Sequence, residues 1–277
     1  PSPGCGQLFS GRNLDWAADT GVAKYKTINV YHIGASHSYA SVSFAGLTGA
    51  ITGMSSAGIT VAEAGDDNTK ETLKGFAWSL RLRSLMESTS NLAEAKAFWE
   101  ATNNTLGINH GVGSAADPGL LALETRAGYT AYFLDNDPRE AALEVNGTHY
   151  GFPMEDAVWR TNHGYDPTFL ETAMEGPKPG HDSFTRYMLL HDTFEQYGTS
   201  GALDWLQAVN LTAVVGDKGG STRKSFTMCE GPEALVGENI VSATYQPAAH
   251  IMWVAYENGS NSSRVPACCN NYVRLDM

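Results

Sequence analysis

Positive charge is what this sequence has least of: Lys and Arg number 18 against 30 Asp and Glu, a net charge of −12. The acidic residues are scattered rather than gathered in a tail, so a polyanionic partner such as nucleic acid is not expected. No apolar run approaches the roughly 18 residues that a membrane span requires, and no positive-then-apolar leader opens the chain. A transmembrane segment is therefore not expected. "PSPGCG" at the start reads as a loop and implies a segment upstream of it. Also missing is a Gly-x-Ser-x-Gly elbow, which removes support for a serine hydrolase of that type. The eight histidines show no metal-ligand spacing: His32 and His37 are five apart, His181 and His191 ten apart, with no Cys or Glu at a matching offset. "GGSTRKS" at 219–225 is too short for a phosphate-binding glycine loop. No metal and no cofactor are expected. No Pro-rich linker or internal repeat divides the chain, so residues 1–277 are read as one domain.

Cysteine is scarce too, only Cys5, Cys229, Cys268 and Cys269. A chain of this length buries about three quarters of the surface its unfolded form exposes, so it needs no disulfide scaffold. Asn-x-Ser/Thr sequons are abundant by contrast, at Asn103, Asn146, Asn210, Asn258 and Asn261. Chance supplies about one or two in such a chain, and the excess predicts N-linked glycans and a secreted or lysosomal protein. One or two disulfides among the four cysteines fit that compartment, and buried free thiols are the alternative.

The first 65 residues read as strands: "QLFSGRNLD", "KTINVYHI", "SYASVSFAG" and "GITVAEAG" carry β-branched and aromatic residues between Gly, Ser and Asp. Phe76, Leu80, Leu82, Leu85 and Met86 then recur at helical steps, and a second helix starts at Asn91 with Glu94 completing a capping box. Strands resume through "GLLALETRAGYTAYFLD", with "RAG" as a hairpin turn, and "AVWRTNHGYDP" is read as a strand running into a loop. "HDSFTRYMLLHDTFEQYG" is read as a helix that Asp182 caps and Gly198 ends, followed by a helix in "GALDWLQAVN". "NIVSATYQP" and "HIMWVAYENG" return to strands. Strands and helices in separate blocks predict an α+β fold with largely antiparallel sheets.

Two polar clusters stand out. In "GRNLDW" (11–16), strand alternation puts Arg12 and Leu14 on one face and Asn13 and Asp15 on the other. Arg and Asp three apart at a strand end can turn toward one point; a solvated surface strand is the plainer alternative. "WRTNHG" (159–164) concentrates Arg160, Asn162 and His163 before a Gly turn. Asn162 there serves either an Asx turn or an oxyanion.

Together, "GRNLDW", "TGMSSAGITVAEAG", "RTNHGY", "GSTRKS" and "PACCNNYVRLD" resemble the N-terminal-nucleophile (Ntn) hydrolases of the choloylglycine hydrolase, penicillin acylase and isopenicillin N acyltransferase group, across about residues 7–275. "GRNLDW" and "RTNH" are the most specific parts. The resemblance implies a four-layer αββα sandwich with two mainly antiparallel sheets. It implies linear-amide hydrolysis or acyl transfer by a Cys that autocatalytic cleavage exposes as the first residue, its own α-amino group acting as base. By the same resemblance Asp15 holds that α-amino group, Arg12 orients the thiol, Asn162 supplies an oxyanion donor and Arg223 completes the charged network. The substrate class implied is a small-molecule amide, an N-acyl lipid or an N-acyl amino acid or peptide.

Cys5 lies seven residues before Arg12, about 23 Å of extended chain at 3.3 Å per residue. A thiol near Arg12 and Asp15 instead belongs on a paired strand, roughly fifteen residues before Asp15 and upstream of Pro1, with "PSPGCG" as the hairpin loop. Three alternatives follow: a nucleophile strand or pro-segment upstream, Cys5 itself, or a homologue that has lost catalysis and serves as a secreted structural or interaction glycoprotein. Trp16, Phe76, Trp78 and Tyr165 are read either as pocket wall or as core.

Overall fold

Runs of Val, Ile, Thr and Tyr, broken by glycine, assemble into two antiparallel sheets in the computed structural model, which describes residues 7–16, 20–174, 176, 181–198, 203–217, 239–259 and 265–277. The strands before the first helices are β1 (Ser10–Asp15), β2 (Lys26–Tyr31), β3 (Tyr39–Phe44), β4 (Thr52–Ser55) and β5 (Ile59–Gly65). Helices α1 (Trp78–Ser88) and α2 (Leu92–Glu100) precede β6 (Ile108–Ser114), β7 (Gly119–Arg126) and β8 (Tyr129–Phe133). A short helix α3 (Pro138–Ala141) and the hairpin β9 (Glu144–Val145) and β10 (Thr148–His149) lead to α4 (Pro167–Leu170). Helices α5 (Asp182–Gly198) and α6 (Trp205–Asp217) and strands β11 (Asn239–Gln246), β12 (Ile251–Tyr256) and β13 (Val273–Asp276) complete the described order.

The larger sheet runs β2-β3-β4-β5-β6-β7-β8 and the smaller β1-β11-β12-β13. Strand alternation sorts their side chains into layers. Ala40, Val42 and Phe44 of β3 meet Leu14, Val241, Ala243 and Val254 between the sheets. Tyr39, Ile59, Val61 and Val112 face α1 and α2 on the other side, against Leu82, Leu85, Met86 and Trp99. α6 lies on β1 and β11 with α5 beside it, which gives α, β, β, α in sequence, the α+β sandwich expected. At Gly11 a Cβ would collide with Thr212 Oγ1 of α6. That glycine lets the helix approach β1 next to Arg12, where Asn13 Nδ2 donates to Thr212 O at 2.6 Å.

Several expected boundaries move. α2 begins as predicted, Asn91 Oδ1 accepting from Glu94 N–H at 2.8 Å. α1 starts at Trp78, and its buried stripe takes Arg81 in place of the exposed Leu80. Arg81 is tolerated there because its guanidinium lies 3.9 Å over the Trp99 ring and donates to Asn104 and to backbone carbonyls. Asp182 falls inside α5, and Ser183 N–H instead meets His181 Nδ1 at 3.3 Å. α6 starts later and runs further than "GALDWLQAVN", capped by Asp204, which accepts from Gln207 N–H at 2.8 Å while Gln207 Oε1 accepts from Asp204 N–H at 2.9 Å. The strand expected in 157–163 is not one. That stretch makes only isolated bridges, Met154 with Ala157 and Thr161 with His163, because its polar side chains take up the backbone and carboxylate groups around them.

Candidate active site

A cleft of about 1570 Å³ opens between the ends of the two sheets, and Arg12, Asp15, Glu63, Asn162 and Arg186 all line it. β1 and its glycine-close helix bring the first two, the end of β5 brings Glu63, and the irregular 157–165 stretch brings Asn162.

Arg12 is buried. Burying a guanidinium requires a partner, and Glu63 supplies it: Nη2 forms an ion pair with the Glu63 carboxylate, and Nε donates to the Glu63 carbonyl at 3.3 Å. Nη1 is buried with no hydrogen-bond partner among the described residues. Asp15 sits beyond a register shift, Leu14 opposite Val241 but Asp15 opposite Asn239. Such bulges re-aim side chains at strand ends. Asn239 Nδ2 donates to Asp15 at 2.9 Å, and Asn239 Oδ1 is itself held by Cys268 N–H at 2.9 Å.

Asn162 is exposed to the cleft. Its Nδ2 donates to Gly65 O at 2.7 Å and its Oδ1 accepts from Arg186 at 2.7 Å, while Arg186 is anchored on Asp182 at 3.0 Å. A primary amide carries two N–H groups, so one bond to Gly65 leaves a second donor for the cleft. The neighbouring polar residues do other work. Arg160 is buried between Glu124 and Glu140. His163 bonds Ser183 Oγ and Tyr165 Oη, both at 2.7 Å, and burial, then Arg160, lowers its pKa to about 3. It is a neutral core histidine.

Arg12, Asp15 and Asn162 are thus brought to one cleft, and Arg223 lies outside the described residues. Trp16 and Trp78 line the cleft, Tyr165 is core, and Phe76 packs on Phe98. Cys5 and Cys229 are outside the described residues. The sulfurs of Cys268 and Cys269 are 3.6 Å apart, too far to be bonded to each other. Of the sequons, Asn103, Asn146, Asn210 and Asn258 are exposed, and Asn261 is outside the described residues. No helix among the described residues is long and apolar enough to cross a membrane.

Glu63, Asn239 and Arg186 were not anticipated from sequence. The buried Arg12 called for an acid, but by two-residue parity Glu63 belongs with Ile59 and Val61, which face the helices, so alternation carried no sign of it.

No protein-family model and no curated protein matches the sequence. Solved structures do. The N-acylethanolamine-hydrolyzing acid amidase ortholog of Caenorhabditis elegans aligns over 98% of this chain and 95% of its own, at 12% identity and a TM-score of 0.55. Penicillin V acylase from Agrobacterium tumefaciens aligns over 98% and 83%, at 11% identity and a TM-score of 0.51. A mutant conjugated bile acid hydrolase from Clostridium perfringens aligns over 100% and 90%, at 16% identity and a TM-score of 0.50. The protein has the fold of the Ntn hydrolases, the fold that the motifs resembled.

Proposed function

We propose that the protein is an Ntn amidohydrolase or acyltransferase that cleaves a linear amide with a cysteine nucleophile. The observation that carries this reading is the convergence of Arg12 and Asp15, from β1, with Asn162, from the 157–165 stretch, on one cleft. β1 ends the smaller sheet, and its outer edge has no partner strand among the described residues. An antiparallel strand added there starts opposite Asp15, since β1 itself runs toward Asp15. A first-residue cysteine on that strand sets its neutral α-amino group against the Asp15 and Asn239 pair and its thiol within the Arg12 neighbourhood, where Nη1 has no partner among the described residues.

In the proposed reaction the α-amino group takes the thiol proton as sulfur attacks the amide carbonyl. The free N–H of Asn162 receives the developing oxyanion, and the same proton passes to the departing amine as the C–N bond breaks. Water, or a second amine, then takes the acyl group from sulfur. Leu14, Val22, Phe44, Leu47, Ile51 and Trp78 on the cleft wall suit the acyl part of an N-acyl lipid or N-acyl amino acid or peptide. Arg223, on the family pattern, completes the charged surround. The exposed sequons support N-glycosylation and a secreted or lysosomal location.

The test is to express the protein from its complete coding sequence in secretory cells, determine the mature N-terminus by mass spectrometry with and without deglycosylation, and assay a panel of N-acyl amides. A chain beginning with Cys and releasing amine supports the proposal. No such chain and no release would overturn it and leave the secreted structural glycoprotein. Given activity, Asn162→Ala is expected to lower kcat by about 10²–10³-fold. Its unfolding free energy should fall by no more than about 2 kcal/mol, because the exposed side chain loses two bonds worth about 1 kcal/mol each.

A further inference from the structure

Arg186 lines the cleft, and the proposed reaction leaves it unused. It sits one turn into α5, with Asp182 one turn before it on the same helix face. Asp182 Oδ2 accepts from Arg186 Nε at 3.2 Å and from Nη2 at 3.0 Å. The same Nη2 donates to Asn162 Oδ1 at 2.7 Å. Other bonds keep α5 in register with the Asn162 segment. Thr161 Oγ1 donates to Ser183 O at 2.9 Å, His163 Nδ1 meets Ser183 Oγ at 2.7 Å, and Trp159 Nε1 donates to Tyr187 O at 3.2 Å. Asn109 Nδ2, on β6, holds the backbone on either side of Asn162, donating to Thr161 O at 2.9 Å and His163 O at 3.0 Å. The backbone is therefore fixed by buried bonds. The side chain of Asn162 is exposed, and among the described residues it is held by Gly65 O and Arg186 alone.

Those two contacts choose the orientation of the amide. A carbonyl oxygen accepts and a guanidinium donates, and neither can do the reverse. Flipped end for end, the amide would set Oδ1 against the Gly65 carbonyl and Nδ2 against the Arg186 N–H groups, losing both bonds. In the orientation that satisfies both, Oδ1 and one N–H are engaged, and the second N–H is the one left for the cleft. A cation bonded to Oδ1 also draws electron density from Nδ2 through the amide, which strengthens that N–H as a donor. We propose that Arg186 is a positioning residue for the oxyanion site: it locks Asn162 with its second N–H toward the cleft and polarises it, while Asp182 holds the guanidinium in place. The proposal rests on the reading of Asn162 as the oxyanion donor, and Arg186 acts through that amide. Because the bonds are already made before charge develops on the carbonyl oxygen, no reorganisation is needed when it does.

The first test assumes no activity. In protein carrying 15N on its asparagine side chains, Asn162→Ala identifies the Asn162 Nδ2 resonance by its loss. Arg186→Met removes the donor and keeps a good helix former. It is expected to move that resonance upfield and to speed the interchange of its two protons, because the bond to Oδ1 that stiffened the amide C–N bond is gone. Unchanged Asn162 signals in R186M would overturn the proposal. In the turnover assay R186M is expected to lower kcat by about 10–10²-fold, less than loss of the donor itself, with KM within about twofold. In the Asn162→Ala background R186M should cost nothing further, because its effect passes through an amide that is no longer there. A further loss of the same size in that background, or a rise in KM with kcat kept, would overturn the proposal and make Arg186 a substrate contact or part of the scaffold. If R186M moves the Asn162 signals while Asn162→Ala leaves turnover intact, the hold of Arg186 on the amide stands and the oxyanion assignment fails. Arg186→Ala is expected to give the same shift and the same loss of kcat, and a shift confined to R186M would trace the effect to the thioether and overturn the proposal.

Discussion

Replacing Arg160 by Met is expected to lower the unfolding free energy by about 3–5 kcal/mol or more, a drop in Tm on the order of 10 °C. The side chains of Arg160, Glu124 and Glu140 are 4%, 0% and 5% exposed. Arg160 Nε reaches Glu124 at 2.9 Å and Nη1 reaches Glu140 at 2.6 Å. Burial works against the guanidinium charge, but Glu124 and Glu140 outweigh it and hold Arg160 firmly cationic. Burial already raises the Glu124 carboxyl against the pull of Arg160. A thioether fills part of the volume, beside Phe133 and Tyr165, but leaves two buried carboxylates that must take up protons to stay. The folded-state pKa of Glu124 then rises further above its unfolded value, so the loss grows as pH increases through and above the ordinary carboxyl range. Denaturant titrations at pH 5 and 8 measure this, and Arg160→Met/Glu124→Gln should recover part of it. An unchanged midpoint in the single variant would mean that the three side chains do not hold this region together.

Arg12→Met is expected to abolish at least about 10²–10³-fold of any amide turnover, on the scale of losing a positioned donor at the reacting atoms. It should also destabilise by about 2–4 kcal/mol, because Glu63 is left buried and unpaired. Pairing the change with Glu63→Gln removes the stranded charge, so the double variant is expected to regain most of the stability and none of the turnover. Thermal unfolding and release of a fluorogenic amine separate the two effects. Full turnover in the double variant would place Arg12 in the scaffold alone. Arg12→Lys keeps a charge but loses the fork that serves Glu63 and the cleft together, and an intermediate result is expected.

Legibility differed by residue. β3 and β5 were readable because β-branched and aromatic residues are gathered there between Gly and Ser, and the start of α2 because Asn91 and Glu94 satisfy backbone groups within one turn. The 157–163 stretch misled for the opposite reason: a run that looks like a strand became a scaffold for ion pairs and for Asn109, whose partners lie 52 and 54 residues away. Arg81 was hidden because its hydrogen-bond partner Asn104 and its ring partner Trp99 come from chain beyond α1.

Composition and local order in the chain determined the segregated strands and helices, the antiparallel pairing, the net acidity, and the early Arg12 and Asp15. Only the tertiary structure decided that Arg12 is bound to Glu63, that Asp15 is turned by a bulge toward Asn239, and that Asn162 sits between Gly65 and Arg186. The reason is physical: periodicity and capping act over a few residues, whereas the cost of burying a charge is met by whichever distant group the folded sheets bring within hydrogen-bond reach.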